Sequence, residues 1–244
     1  MARIDDLLAA ALKSLPVKPE DGATQTTKKR YSEMMSQQVA LALGTELRLR
    51  GLKEARPNDG SAAGESGAER RMAGGLGAKK VDVTWATEES GLLCAISVKT
   101  INFCDRKTGN FQKNLINRRG DMLMEAVTLH RRFPYAVLAG FFFLDKDAAN
   151  DSTPKRRSTL INAHNRLQLF TGRIDPAGRE EQFERFYLIL LDASPASVVL
   201  RPFAVGQPEI ELTFNEIIDD MLELVSQRNP DFYEFVDGKL MSAS

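Results

Sequence analysis

Asp82, Ser97 and Lys99 are the residues of this chain whose types and spacing suit hydrolytic chemistry. They lie in the segment 79–100, which reads K-K-V-D-V-T-W-A-T-E-E-S-G-L-L-C-A-I-S-V-K-T. Val81, Val83 and Trp85 alternate with Asp82 and Thr84, as in a half-buried strand. Glu88, Glu89, Ser90 and Gly91 make a polar turn, and residues 92–98 form an apolar run of strand length. Two neighbouring strands bring Asp82 and Lys99 together. Side chains alternate faces along a strand, so Ser97 and Lys99 point the same way. A carboxylate, a hydroxyl and an ammonium gathered at a hairpin suit a divalent cation and an activated water.

The elements that must position these groups follow from periodicity. Residues 4–15 read as a small amphipathic helix ended by Pro16, and residues 17–27 as a polar linker. Residues 28–52 read as a long helix, with Met35, Val39, Ala42, Leu43 and Leu47 at helical spacing. Residues 53–78 are rich in Gly, Ala, Ser and charge and read as a long loop. Strands are expected at 80–87 and 92–101, then a polar connection and a helix at 117–132 that Pro134 ends. Residues 135–144 are apolar throughout, which predicts a central strand. A helix at 158–170, strands at 183–192 and 197–203, and a helix at 214–228 complete the layout. The expected organisation is an N-terminal helix and linker (1–27), an α/β domain (28–205) and a C-terminal acidic helix packed on that domain (206–244).

The order helix, strand, strand, helix, strand, with Asp82 and Ser97-x-Lys99 on the two strands, resembles the PD-(D/E)xK nuclease superfamily, which includes many restriction endonucleases. Asp82 matches the first motif position and Lys99 the last. Val81 stands where Pro is often found, and Ser97 stands where Asp or Glu is expected. The resemblance implies an α/β fold of restriction-endonuclease-like type, a mixed β-sheet flanked by helices with an αβββαβ-type core. It implies a Mg2+-dependent DNA endonuclease of the restriction or phage-defence kind, with Mn2+ able to substitute. Asp82 would hold the metal, and Lys99 would hydrogen-bond or deprotonate the attacking water. Ser97 offers a neutral oxygen but no charge, so another acid must complete the site. Members with SxK recruit a Glu from the following helix, which points to Glu125. Many members place a Glu on the preceding helix, which points to Glu46; Glu33 and Glu69 are further alternatives.

Composition neither demands nor forbids this chemistry. Of 244 residues, 43% are apolar and 27% charged, ordinary for a soluble globular protein, and the formal net charge of zero gives no global sign of nucleic-acid binding. Charge is nevertheless segregated. Residues 105–132 carry seven Lys or Arg against three acids, and residues 209–237 carry nine acids against Arg228 alone. Lys79, Lys80, Lys113, Arg118 and Arg119, with Asn102 and Asn117, flank the expected cleft and suit phosphate and base contacts. Double-stranded DNA is the expected partner, and cutting both strands makes a homodimer the economical assembly.

Other classes find little support. Cys94 and Cys104 imply no disulfide framework and fit a reducing cytoplasm, and no run approaches membrane-spanning length. The glycines at 74, 75 and 77 precede Lys79-Lys80 without the Gly-Lys-Ser/Thr ending of a phosphate loop. His130 and His164 are isolated, and no Ser/His/Asp set has recognisable spacing. Two rivals remain: a catalytically inactive DNA-binding module on the same fold, and an α/β protein-interaction protein that docks through its acidic C-terminal helix.

Overall fold

The unbroken apolar run through residues 137–144 sets the architecture, because it gives one strand two buried faces. The computed structural model describes residues 3–60, 67–194 and 197–243. In chain order these form α1 (Arg3–Lys13), α2 (Gln25–Leu49), β1 (Arg71–Gly74), β2 (Gly77–Lys80), β3 (Val83–Thr87), β4 (Gly91–Ile101), α3 (Leu115–His130), β5 (Val137–Asp145), α4 (Thr159–Leu167), β6 (Arg185–Ser194), β7 (Ser197–Ala204), α5 (Phe214–Arg228), β8 (Tyr233–Val236) and β9 (Lys239–Ser242). The protein is a mixed α/β structure whose five-stranded sheet runs β3-β4-β5-β6-β7. The central pairs β4–β5 and β5–β6 are parallel, and the outer pairs β3–β4 and β6–β7 are antiparallel.

Each sheet face carries its own layer of helices. Phe141 and Phe143 of β5 join Val98 of β4 and the buried faces of α1, α2 and α5. Phe142 and Leu144 join Ala95 and the buried faces of α3 and α4. Burying a phenylalanine fully contributes about 1.5–3 kcal/mol, so the three consecutive Phe of β5 bind both layers to one strand. The same alternation fixes the site: Ile96 and Val98 face α2, so Ser97 and Lys99 face α3.

The sequence expectations at 53–80 and beyond 228 need correction. The expected loop 53–78 contains the strand β1, which pairs with β2 as a separate two-stranded sheet. Lys79 and Lys80 belong to that hairpin, and the strand expected at 80–87 begins only at Val83. Two strands of the main sheet, rather than three, therefore precede α3, unlike the expected αβββαβ order. After α5, whose Thr213 and Glu216 form a reciprocal cap, the chain makes a further hairpin, β8–β9. Leu240 of this hairpin donates its N–H to Arg50 O at the end of α2 (2.8 Å). Gly51 lies against it at φ 106°, where an added Cβ would sit 2.0 Å from Leu240 O.

Two buried ion networks and one covered edge complete the frame. Glu184, just before β6, accepts from Leu138 N (2.7 Å) and from Nη1 of both Arg173 and Arg228 (2.8 Å each), and faces His130 Nε2 at 3.2 Å. It thereby ties the starts of β5 and β6 to the ends of α3 and α5. Arg50 bonds Glu46 and Asn215 and reaches Asp219 Oδ1 at 2.5 Å, joining α2 to α5. At the outer side of β3, Arg56 exchanges both backbone hydrogen bonds with Thr84, and Arg70 Nη1 donates to Ala86 O. Among the described residues, no helix is long and apolar enough to cross a membrane.

Candidate functional site

Asp82 occupies the bend just before β3, opposite Ser97 in the β3–β4 register. Its Oδ2 accepts a backbone hydrogen bond from Val98 N (2.7 Å), which fixes the carboxylate against β4. Lys99 Nζ lies 3.3 Å from the same oxygen and 3.0 Å from Ser97 Oγ. Glu125 enters from α3, with its Oε2 3.7 Å from Lys99 Nζ and 3.8 Å from Lys79 Nζ. The structure thus brings Asp82, Ser97, Lys99 and Glu125 into one cluster. The hydrogen bonds from Val98 N and Lys99 Nζ both fall on Asp82 Oδ2, and the carboxylate stands in the wall of a cleft.

The electrostatics are those of a half-sheltered site. Burial alone would strip the charge from Lys99, but the carboxylates of Glu125 and Asp82 outweigh it and hold the lysine pKa above its ordinary value. Glu125 is only 3% exposed, and burial pushes its carboxyl above the usual carboxylate range. The Asp82 charge adds to that push, while Lys99, Lys79 and the Ser97 hydroxyl oppose it without reversing it. Lys99 is therefore an ammonium at neutral pH, suited to stabilising negative charge and hydrogen-bonding a water rather than to removing its proton.

Among the described residues, no group of three or more His, Cys, Asp or Glu is disposed to hold a metal ion. The cluster offers two carboxylates that converge on one ammonium. Mg2+ keeps several waters and is commonly bound through one or two carboxylates plus a substrate phosphate. The donor set fits a cation of that kind that arrives with, or is completed by, a phosphate, and does not form a self-sufficient cage.

Glu46, expected as a metal ligand, is not part of this cluster. It is fully buried, and its two oxygens accept from Arg3 (2.8 Å each) and Arg50 (2.7 Å). Burial would raise its pKa, but the two guanidinium partners win and lower it. The physical reason is strand alternation: α2 packs on the face of β4 that carries Val98, and Lys99 faces the other way. The alternatives Glu33 and Glu69 do line the cleft with Asp82 and Lys99. Glu33 is exposed and 3.7 Å from Lys29, and Glu69 is ion-paired with Lys80.

That cleft has a volume of about 1120 Å³ and lies between the N-terminal halves of α2 and α3, with Asp82 and Lys99 in its wall. Of the expected DNA contacts, Lys80, Asn102, Lys113, Asn117 and Arg118 line it. Lys79 turns instead to Glu125, and Arg119 lies over the Phe170 ring, 5.5 Å from its centroid. Asn102 is buried and donates to Ser32 Oγ (3.3 Å), bracing β4 against α2. The polar face of α2 that forms the opposite wall was missed in the sequence, although Gln25, Lys29, Glu33 and Gln37 recur there at helical spacing. The acidic C-terminal helix is not a free docking face throughout: Asp219 is held by Arg50 and Asp220 by Arg185. Compared with known proteins, the chain matches no family model, no curated protein and no solved structure.

Proposed function

We propose that this protein is a Mg2+-dependent DNA endonuclease of the PD-(D/E)xK kind, with a restriction-endonuclease-like sheet and a restriction or phage-defence role in the cytoplasm. The observation that carries the proposal is the convergence of Asp82, Lys99 and Glu125 beside a cleft lined by Lys113, just before α3, and by Asn117 and Arg118 on α3. Asp82 and Glu125 would hold Mg2+, which when bound supplies Lewis acidity at the scissile phosphate and a more acidic water. Lys99 stabilises the negative charge that grows on the phosphate and orients the attacking water by hydrogen bonding. Ser97 holds the Lys99 ammonium in place (3.0 Å). Lys113 and Arg118 neutralise neighbouring phosphates and set the strand across the cluster. Cleavage of both duplex strands requires two such clusters, supplied by a homodimer.

A second reading is favoured by one residue. Ser97 replaces the carboxylate that would make a third ligand, which supports a DNA-binding module of the same fold without catalysis. Supercoiled plasmid incubated with Mg2+, with Mn2+ and with chelator separates the two. Metal-dependent nicking that disappears in Asp82→Ala and Lys99→Ala supports the nuclease. Salt-sensitive DNA binding without nicking in any metal supports the module. Full activity in either variant refutes the assigned roles.

A further inference from the structure

Gln25, Lys29, Glu33 and Gln37 follow one another along α2 at four-residue spacing, and Ser36 lies beside the last of them. Each step of four residues turns an α-helix about 40° past a full turn, so the series winds about 120° around α2 over about 18 Å of helix. All of them line the cleft, and the four of the spaced series are exposed. Towards its C-terminal half the same helix is anchored by Met35, Val39 and Leu43 in the core, so the polar series is held rigid before any ligand arrives. The side-chain amides of Gln25 and Gln37 make no hydrogen bond among the described residues.

The two walls of the cleft differ in chemistry. One wall presents Lys113, just before α3 and 3.0 Å from Asp105, and Arg118 on α3, both of which attract phosphate. The α2 wall presents amides, a hydroxyl and the Glu33 carboxylate beside Lys29. A carboxylate repels phosphate but accepts from the amino group of a base, and glutamine makes paired hydrogen bonds to adenine. A helix of this kind fits the major groove of a duplex, which is about 12 Å wide.

We propose that the Gln25–Gln37 series of α2 reads base edges of duplex DNA in its major groove, while Lys113, just before α3, and Arg118 on α3 hold the backbone. The proposal takes its ligand from the nuclease reading but does not require that the bound strand be cut.

The test is selection from a pool of random-sequence DNA duplexes by the full-length protein, with Ca2+ as the divalent ion, followed by sequencing of the bound fraction. Alanine is the best helix former, so Gln25→Ala and Gln37→Ala leave α2 intact. The wild type is expected to enrich a motif. Each glutamine variant is expected to lose preference at one base position by about tenfold or more while the rest of the motif persists. Lys113→Ala is expected to weaken binding to all sequences alike and keep the motif. An unchanged motif in both glutamine variants, or no motif in the wild type, overturns the proposal. A motif that depends on the glutamines in a protein that leaves plasmid intact with Mg2+ upholds base reading and ends the nuclease proposal.

Discussion

Lys99 Nζ lies 3.7 Å from Glu125 Oε2, linking the second strand of the main sheet to the helix packed on that face. The same ammonium also meets Asp82 Oδ2 at 3.3 Å, so one cation offsets two carboxylates that would otherwise repel each other. In the proposed enzyme this arrangement assigns Lys99 to charge stabilisation.

Lys99→Met removes that charge while keeping much of the side-chain volume. Plasmid nicking with Mg2+ is expected to fall by about a hundredfold or more, the usual scale for losing an electrostatic group from a reacting centre. DNA affinity, which the proposal assigns to Lys113 and Arg118, should change only slightly. A gel-shift titration beside the nicking assay distinguishes the two effects, and nicking at the parental rate would remove Lys99 from the mechanism.

The burial of Glu125 predicts a signature in stability. Its folded-state pKa is raised, so the folded protein binds this proton more tightly than the unfolded chain. Stability from this group is present below the ordinary carboxylate pKa of 4.5 and is lost as pH rises through the raised folded value. Glu125→Gln keeps the shape and removes the titration. Thermal melts of parent and variant should therefore diverge in the variant's favour as pH climbs from 4.5 through the raised folded value, and run parallel once Glu125 is fully ionised. Melting curves that stay parallel throughout would show that the carboxyl titrates normally.

Glu46 has the opposite linkage. Its folded-state pKa is lowered, so its contribution is present above pH 4.5 and is lost as pH falls through the lower folded value. Glu46→Ala leaves the buried Arg50 with Asp219 as its remaining carboxylate and is expected to destabilise the fold by about 1–3 kcal/mol, the cost of a lost buried charge-assisted hydrogen bond. Mg2+ binding by any molecules that remain folded should be unaffected. Urea denaturation and calorimetric metal titration check the two halves, and weakened metal binding at full stability would return Glu46 to the site.

Ser97→Asp restores a carboxylate opposite Asp82. If the cluster binds a divalent cation, Mn2+ affinity measured by calorimetry should rise by about tenfold or more, since hard cations gain strongly from added carboxylate ligands. The added charge sits at a position only 2% exposed, so some loss of stability in the absence of metal is expected, recovered on adding Mn2+. No gain in affinity would argue that Asp82 and Glu125 do not share a cation.

Much of the frame was legible because burial leaves a period in the chain. The alternation around Val83 and Trp85 and the unbroken apolar run of β5 placed the main-sheet strands, and the 214–228 helix was read with its observed bounds. The pairing of Asp82 with Lys99 was legible for the same reason, since two short strands joined by a polar turn leave few registers. Glu46 was misplaced because helical spacing near Leu43 and Leu47 shows that a residue is buried but not against which sheet face. Two arginines distant from it in role, Arg3 and Arg50, claimed its charge. The hairpins β1–β2 and β8–β9 escaped notice because their strands of four residues are largely exposed and carry little apolar signal.

The outer margin of β3 bears on how two copies could meet. Thr84 spends both its outward main-chain groups on Arg56, and the Ala86 carbonyl is occupied by Arg70. A visiting strand finds Thr84 and the Ala86 carbonyl already engaged, so that border resists fibril-like extension. A twofold assembly that sets two clusters along a duplex is thereby directed away from β3, to the helices, the loops or the outer side of β7.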